Sequence, residues 1–288
     1  MRQQDTAKDK KNSQLLLLVK QNKLAAFSAL VIIIITLMAI FAPIVAPYEP
    51  TKQDLINRLS GPSVAHWLGT DQLGRDVLTR MIYGARVSIS IGLFPTLFSL
   101  IIGTILGLMA GYMGGKVDFA IMRLADVTLA FPSLLLAMVV MYTMGAGIIN
   151  IFMALVIVGW AGVARVVRSQ TLSLKESEYV EAARSMGVST WMIMFRHILP
   201  NCLPSLIVLF TLNIPASILQ ESSLSFLGIG AQPPLTSWGL MVSEGKQYLF
   251  TDPCIAIAPG VAILVIALAF NFLGDGLRDI LDPYRKEQ

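Results

Sequence analysis

Five stretches of this chain contain no Asp, Glu, Lys, Arg or His: 24–48, 87–115, 127–164, 202–220 and 253–274. A helix needs about 20 apolar residues to cross a hydrocarbon core of roughly 30 Å, and each of these runs is of that order or longer. A soluble domain with so much uninterrupted apolar sequence would lack the polar surface to cover its own core. The composition agrees: 55% of the residues are hydrophobic and 14% are charged, where soluble domains carry about 25% charged residues. The chain reads as an all-α integral membrane protein. A transmembrane barrel is excluded, because no segment alternates apolar and polar residues over about ten positions.

The third run is interrupted by Gly145-Ala146-Gly147 and Asn150, which predicts two helices joined by a tight turn and brings the number of spans to six. Both ends of a six-span chain lie on one side. That side receives 16 of the 22 Lys and Arg residues, so the positive-inside rule puts both termini in the cytoplasm. The net charge of +4 reflects this bias and gives no reason to expect a nucleic-acid partner. The first run is too long for the apolar part of a signal peptide and is followed by five more, so it reads as a retained span. Cys202 and Cys254 fall near opposite faces, too far apart to pair within one chain.

The expected organisation is a cytoplasmic tail at 1–23, a first span at 24–48 and an external segment at 49–86. A five-span core follows at 87–275, containing a polar loop at 169–200, and then a cytoplasmic tail at 276–288. Within the external segment HWLGTDQLGRDVLTRMIYGAR looks structured, since apolar residues recur there at helical spacing. Gly103, Gly107 and Gly111 lie four apart and would let helix backbones approach closely. The loop at 221–252, rich in Gly and Pro, predicts a shaped external connection. Asp118, Asp126, Glu221 and Asp275 fall near span ends, where interfacial placement is expected.

Several chemistries are missing. With only His66 and His197 present, a histidine metal site within the membrane is not expected, and neither H-E-x-x-H nor G-x-S-x-G occurs. GYMGGKV (111–117) resembles a phosphate loop but has Ala110 and Val117 where that loop needs Gly and Ser or Thr. Nucleotide energy, if used, would be bound by another chain.

The segment EAARSMGVSTWMIMFRHILP (181–200) fits neither flanking run. Ser173 and Glu176 have capping-box spacing, which predicts a helix from Ser173 that stops at Gly187. A second helix is expected after Ser189, with Trp191, Met194, Phe195 and Ile198 on one stripe and Pro200 marking the return to the membrane. Threading Glu181, Arg184 and Arg196 through lipid would cost a few kcal/mol each, so a two-helix elbow under the membrane is expected. It presents Ala182 and Ala183 beside Glu181. From the residues alone, a stabilising amphipathic loop and a docking site for a cytoplasmic partner both remain open.

This segment resembles the EAA loop of importer-type ABC permeases, whose pattern is E-A-A, three residues, G, nine residues, I-x-L-P. Glu181, Ala182, Ala183, Gly187, Leu199 and Pro200 match, while His197 takes the place of the Ile. HWLGTDQLGRD (66–76), SFLGIGAQPP (225–234), Trp238-Gly239 and FNFLGDGLRDILDP (270–283) resemble the C-type subunit of dipeptide, oligopeptide and nickel permeases, and the likeness covers about 24–283. The resemblance implies the type I importer permease fold. It also implies an ATPase-coupling role for Glu181, Ala182, Ala183, Gly187, His197, Leu199 and Pro200, a homologous B-type permease as partner, and one or two ABC ATPase subunits. ATP and Mg would be bound by those ATPases, with no cofactor in this chain, and an extracytoplasmic binding protein would deliver substrate to loops 48–86 and 221–252. Peptide transport is the leading expectation and a nickel or metal-chelate permease the alternative. An intramembrane enzyme is disfavoured by the missing motifs.

Overall fold

The computed structural model describes residues 22–281; the expectations for residues 1–21 and 282–288 lie outside it. The chain forms α1 (Lys23–Ile40), a short α2 (Ala42–Val45), α3 (Val77–Met113), α4 (Gly115–Ala130), α5 (Ser133–Met144) and α6 (Ile148–Leu174). These are followed by α7 (Glu178–Ser185), α8 (Thr190–Phe226), α9 (Trp238–Gly245) and α10 (Cys254–Leu281). Five of them (α1, α3, α6, α8 and α10) are long and apolar enough to cross a membrane singly. The pair α4 and α5, bent by 95° at a short break, supplies a sixth crossing if the two are counted as one span.

That break differs from the expected layout of the 127–164 run. The turn at 145–147 is present, with Gly145 at φ 85° and Gly147 at φ 155°. The helix before it, however, starts back at Gly115 and is interrupted at Phe131–Pro132. Pro132 supplies no N–H and its ring disfavours helical backbone in the preceding residue, so Phe131 is extended at φ −94°, ψ 142°. GYMGGKV forms the turn between α3 and α4.

The best-packed pair in the bundle is α3 with α6. A Cβ on Gly103 would lie 2.6 Å from Trp160 O and from Val163 Cβ; on Gly107, 2.6 Å from Ala164 O; on Gly111, 2.6 Å from Thr171 Cβ. One face of α3 is therefore backbone resting against α6. In lipid, where apolar contact alone gives no preference for protein over solvent, such close approach is a main source of helix association. Two apolar clusters flank this seam. One, at the α7 end, joins Leu108, Val163, Val167, Val180, Ala183, Ile193, Met194 and Ile198. The other, toward the opposite end, joins Ile91 of α3 to Ala137 and Met141 of α5, Ile151 and Leu155 of α6, and Leu224 of α8.

Replacing Gly107 by Leu should prevent the α3–α6 contact, since its side chain would have to occupy the space of Ala164 O and Val167. Overpacking of this kind costs about 1–3 kcal/mol even where the neighbours yield. The expected outcome is a lowered unfolding temperature of the purified chain in detergent, with Gly162→Leu, whose Cβ meets nothing within 4 Å, close to wild type.

Candidate functional site

The elbow between α6 and α8 holds all seven residues singled out from the sequence, and its local geometry follows from a few side chains. Helix α6 runs to Leu174 and ends at Lys175. The predicted start at Ser173 is therefore corrected: Ser173 lies within the end of the span, and the elbow helix α7 begins at Glu178 after Ser177. Its end is as expected. Gly187 adopts φ 78°, its N–H donates to Arg184 O at 3.0 Å, and the Val188 N–H donates to Ala183 O at 3.1 Å. This is the Schellman arrangement, which requires a left-handed residue at that point and suits glycine. Ser189 then caps α8, its hydroxyl accepting from the Met192 N–H at 3.4 Å.

The two alanines face different ways. Ala183 is buried against Val180, Ile193 and Met194, whereas Glu181 and Ala182 are exposed. The expectation that both alanines stand beside the charge is corrected accordingly. The apolar stripe on α8 also divides. Met194 and Ile198 are buried, but Trp191 and Phe195 are exposed and stacked on each other, ring centroids 6.0 Å apart and 15° from parallel. The cause is a π-helical turn over Ile193–Ile198. Pro200 cannot donate an N–H to the preceding turn and its ring crowds the carbonyl there; the ladder widens just ahead of it, and widening rotates successive side chains away from the α-helical stripe. Asn201 Nδ2 donates to His197 O at 2.7 Å and Tyr179 OH at 3.2 Å, tying α8 to α7. Ile198, one place after the half-buried His197, fills the core. Pro200 does not divide α8, which continues as one helix to Phe226.

Beside the elbow lies an open cleft of about 630 Å³, lined by Tyr112, Lys175, Arg184, Thr190, Trp191 and Ile193 among others. The Arg184 guanidinium sits over the Tyr112 ring, 5.6 Å from its centroid, a contact that holds α7 against the end of α3. Glu181 is exposed and does not line this cleft. Among the described residues there is no group of three or more His, Cys, Asp or Glu that could hold a metal.

A second constellation, at the opposite end of the bundle, escaped sequence reasoning. Asp71 is fully buried; its carboxylate accepts from Arg75 Nε at 2.7 Å and from Arg80 Nη1. Arg80, also buried, donates through Nη2 to Glu244 Oε2 of α9 at 2.7 Å. Asp76 caps α3 by accepting from the Thr79 N–H at 2.7 Å and pairs with His66 Nδ1 at 2.9 Å. The glycines of LGTDQLGRD make room for this knot: Gly74 has φ +71°, and a Cβ there would lie 1.8 Å from Asp54 O. The signal was available as Asp71, Arg75 and Arg80 close together in sequence, the first two in the loop before α3 and the third on its first turn. Glu221, expected at an interface, is wholly enclosed by protein, its Oε1 accepting from the hydroxyls of Ser225 at 2.6 Å and Ser237 at 2.8 Å. It ties the end of α8 to the cap of α9.

Residues 103–287 match the family described as the binding-protein-dependent transport system inner membrane component, and residues 18–62 match the N-terminal TM domain of oligopeptide transport permease C. The chain is 46% identical over 263 residues to the glutathione transport system permease protein GsiD of Pectobacterium atrosepticum, covering 91% of this chain and 87% of that one. It is 44% identical over 268 residues to the dipeptide transport system permease protein DppC of Alkalihalophilus pseudofirmus, covering 93% and 88%. With the oligopeptide transport system permease protein OppC of Bacillus subtilis it shares 43% identity over 264 residues, covering 92% and 87%. Among solved structures, the MetNI methionine ABC transporter in inward-facing form has a chain of the same fold, with TM-score 0.60 and 17% identity, covering 71% of this chain and 97% of that chain.

Arg80→Ala should remove the fully buried cation between Asp71 and Glu244 and leave the longer Arg75 contact to bridge them. Removing one member of a buried pair costs about 3–5 kcal/mol. The expected result is faster protease cleavage within 48–76 in membranes, with the elbow segment unaffected.

Proposed function

The chain belongs to the binding-protein-dependent inner-membrane permease family, as a C-type subunit of the peptide importer group and a transport component rather than an enzyme, and from that premise we propose that it forms half of a peptide translocation path. The other half is a homologous B-type permease. Transport is driven by separate ATPase subunits, which bind ATP and Mg and engage the elbow at 181–200, and substrate arrives from an extracytoplasmic binding protein at the 48–86 and 221–252 segments. Both termini, and with them the elbow, lie in the cytoplasm.

The observation that carries this reading is the two-sided construction of α7. Its exposed side offers Glu181 and Ala182, a charge beside a small residue, which permits close docking of a partner surface. Its other side, Val180 and Ala183, is part of the cluster that includes Leu108 of α3, Val167 of α6 and Ile193, Met194 and Ile198 of α8. Packed interiors transmit displacement because they have little free volume to absorb it. A push on α7 when the ATPases close on ATP is therefore passed to three spans together, and alternating access follows from their tilt. Leu199 and Pro200 lie where that push enters α8, and His197 is anchored there through its carbonyl to Asn201.

The relatives named for glutathione, dipeptides and oligopeptides support peptide as the cargo. A nickel or metal-chelate permease was the alternative from sequence, and none of the relatives reported above is named for nickel.

Glu181→Lys and Gly187→Val should each abolish uptake of peptide and reduce co-purification of the ATPases, while the chain still reaches the membrane. Gly187→Val acts through its φ, which a β-branched residue adopts only with strain. Normal transport in both variants would refute the coupling role. A cysteine at Glu178 should react with an impermeant thiol reagent only from the cytoplasmic side, in a chain whose Cys202 and Cys254 are replaced by Ser.

A further inference from the structure

Two ion pairs join α4 to α6, and they differ in a way that points to a ligand. Arg168 grips Asp118 with both ends of its fork, Nε to Oδ1 at 2.5 Å and Nη2 to Oδ2 at 2.6 Å. That pair is closed and partly buried. Arg165 touches Asp126 with one nitrogen only, Nη2 to Oδ1 at 2.6 Å, and Arg123 Nη1 stands 3.5 Å from the other carboxylate oxygen. The side chains of Arg165, Asp126 and Arg123 are 49%, 43% and 67% exposed. Two cations share one anion, and the Arg123 guanidinium also lies over the Phe119 ring, 5.2 Å from its centroid.

The place of this cluster along the bundle follows from its neighbours. Ala125, next to Asp126, packs on Trp160, Ala161 and Ala164 of α6 with Leu106 of α3 alongside, and Ala164 is the residue Gly107 meets. The cluster is thus abreast of Leu106 and Gly107, six or seven residues, roughly 10 Å, short of the end of α3 at Met113. At that level and beyond it, α3 exposes Ile102, Ile105 and Met113, an apolar surface suited to lipid. The face of α6 beside Arg165 exposes Gly159, Gly162 and Ser169, with Val166 among them. Ionised side chains are costly in hydrocarbon, so an exposed cluster of three favours a surface that meets water.

We propose that this face of α4 and α6 lines the water-filled route, and that Arg165 and Arg123, held in position by Asp126, form a contact for the carboxylate groups of the passing peptide. The proposal rests on the peptide reading above. Every linear peptide with a free end carries a C-terminal carboxylate, so a guanidinium pair recognises the class without selecting a sequence. Asp126 keeps the net charge of the cluster at one, which suits a contact that must also release its ligand.

The test uses the whole transporter in proteoliposomes, with trialanine and its C-terminal amide as probes. Arg165→Gln should lower uptake of trialanine on the order of tenfold, the scale of a charge-assisted hydrogen bond, and leave uptake of the amide unchanged, while Arg165→Lys retains most of the preference. Equal loss for both probes, or no loss for either, would overturn the carboxylate contact. In a chain with Cys202 and Cys254 replaced by Ser, Gly162→Cys should react with a charged, water-soluble thiosulfonate and Ile105→Cys should not. An unreactive Gly162→Cys would overturn the placement on the route. If the wild-type transporter moves neither probe, the peptide reading falls and the carboxylate contact with it, and the labelling pair still decides separately whether this face meets water.

Discussion

The structure depends first on the bare backbone contact between α3 and α6. Three glycines, four residues apart, bring the two helices together along one seam, and everything on either side is placed by reference to it. Helix α6 carries α4 and α5 on its flank and leads directly into the elbow. Helix α3 carries the charged knot at one end and receives Arg184 against Tyr112 at the other. In a lipid environment, where burying leucine gains little, a seam of this kind sets the relative position of helices that would otherwise slide past one another.

Charge is handled by enclosure or by partnership, according to location. Asp71 and Arg75 of the folded 46–76 segment, Arg80 of α3 and Glu244 of α9 neutralise one another, so that a stretch without long helices is still fixed to α3 and α9. Glu221 is surrounded by serine hydroxyls and serves as a tie between α8 and the turn that follows. Around α4 and α6 the same chemistry is arranged less completely: Asp118 and Arg168 satisfy each other, whereas Arg165 and Arg123 keep donors to spare. The incomplete arrangement lies beside the exposed Gly162 and Ser169 of α6.

Much of the fold was legible because the physics behind it is one-dimensional. Runs without charge mark the spans, Gly145 and Gly147 mark a turn, and Gly187 and Ser189 mark a helix end and a helix start, since each depends on a residue and its immediate neighbours. What could not be read depends on choices among equivalent local options. Pro132 breaks its helix, whereas Pro95, Pro204, Pro215 and Pro259 lie within continuous helices, and nothing local separates the two outcomes. The division of the Trp191, Met194, Phe195 and Ile198 stripe needed knowledge of a π-helical turn. The inward direction of Ala183 needed its neighbours on α3, α6 and α8. The capping-box spacing at Ser173 and Glu176 was a true local signal overridden by continuation of the span. The knot of Asp71 and Arg80 joins residues to Glu244 across more than 160 positions, a pairing that no window along the chain contains.

Helix α3 is 37 residues long, roughly 55 Å as a continuous rod, with its first turn held by Asp76 and Arg80 and its last beside Tyr112. A rod fixed at both ends acts as a lever between the two aqueous compartments. Tilting it by a few degrees about its middle would carry each end a few ångströms in opposite directions. Whatever leans on the folded segment at one surface is then felt, with inverted sign, at the cleft beside the elbow, and the reverse must hold equally. The two ends of the protein share one continuous helix, so any tilt that displaces one end displaces the other.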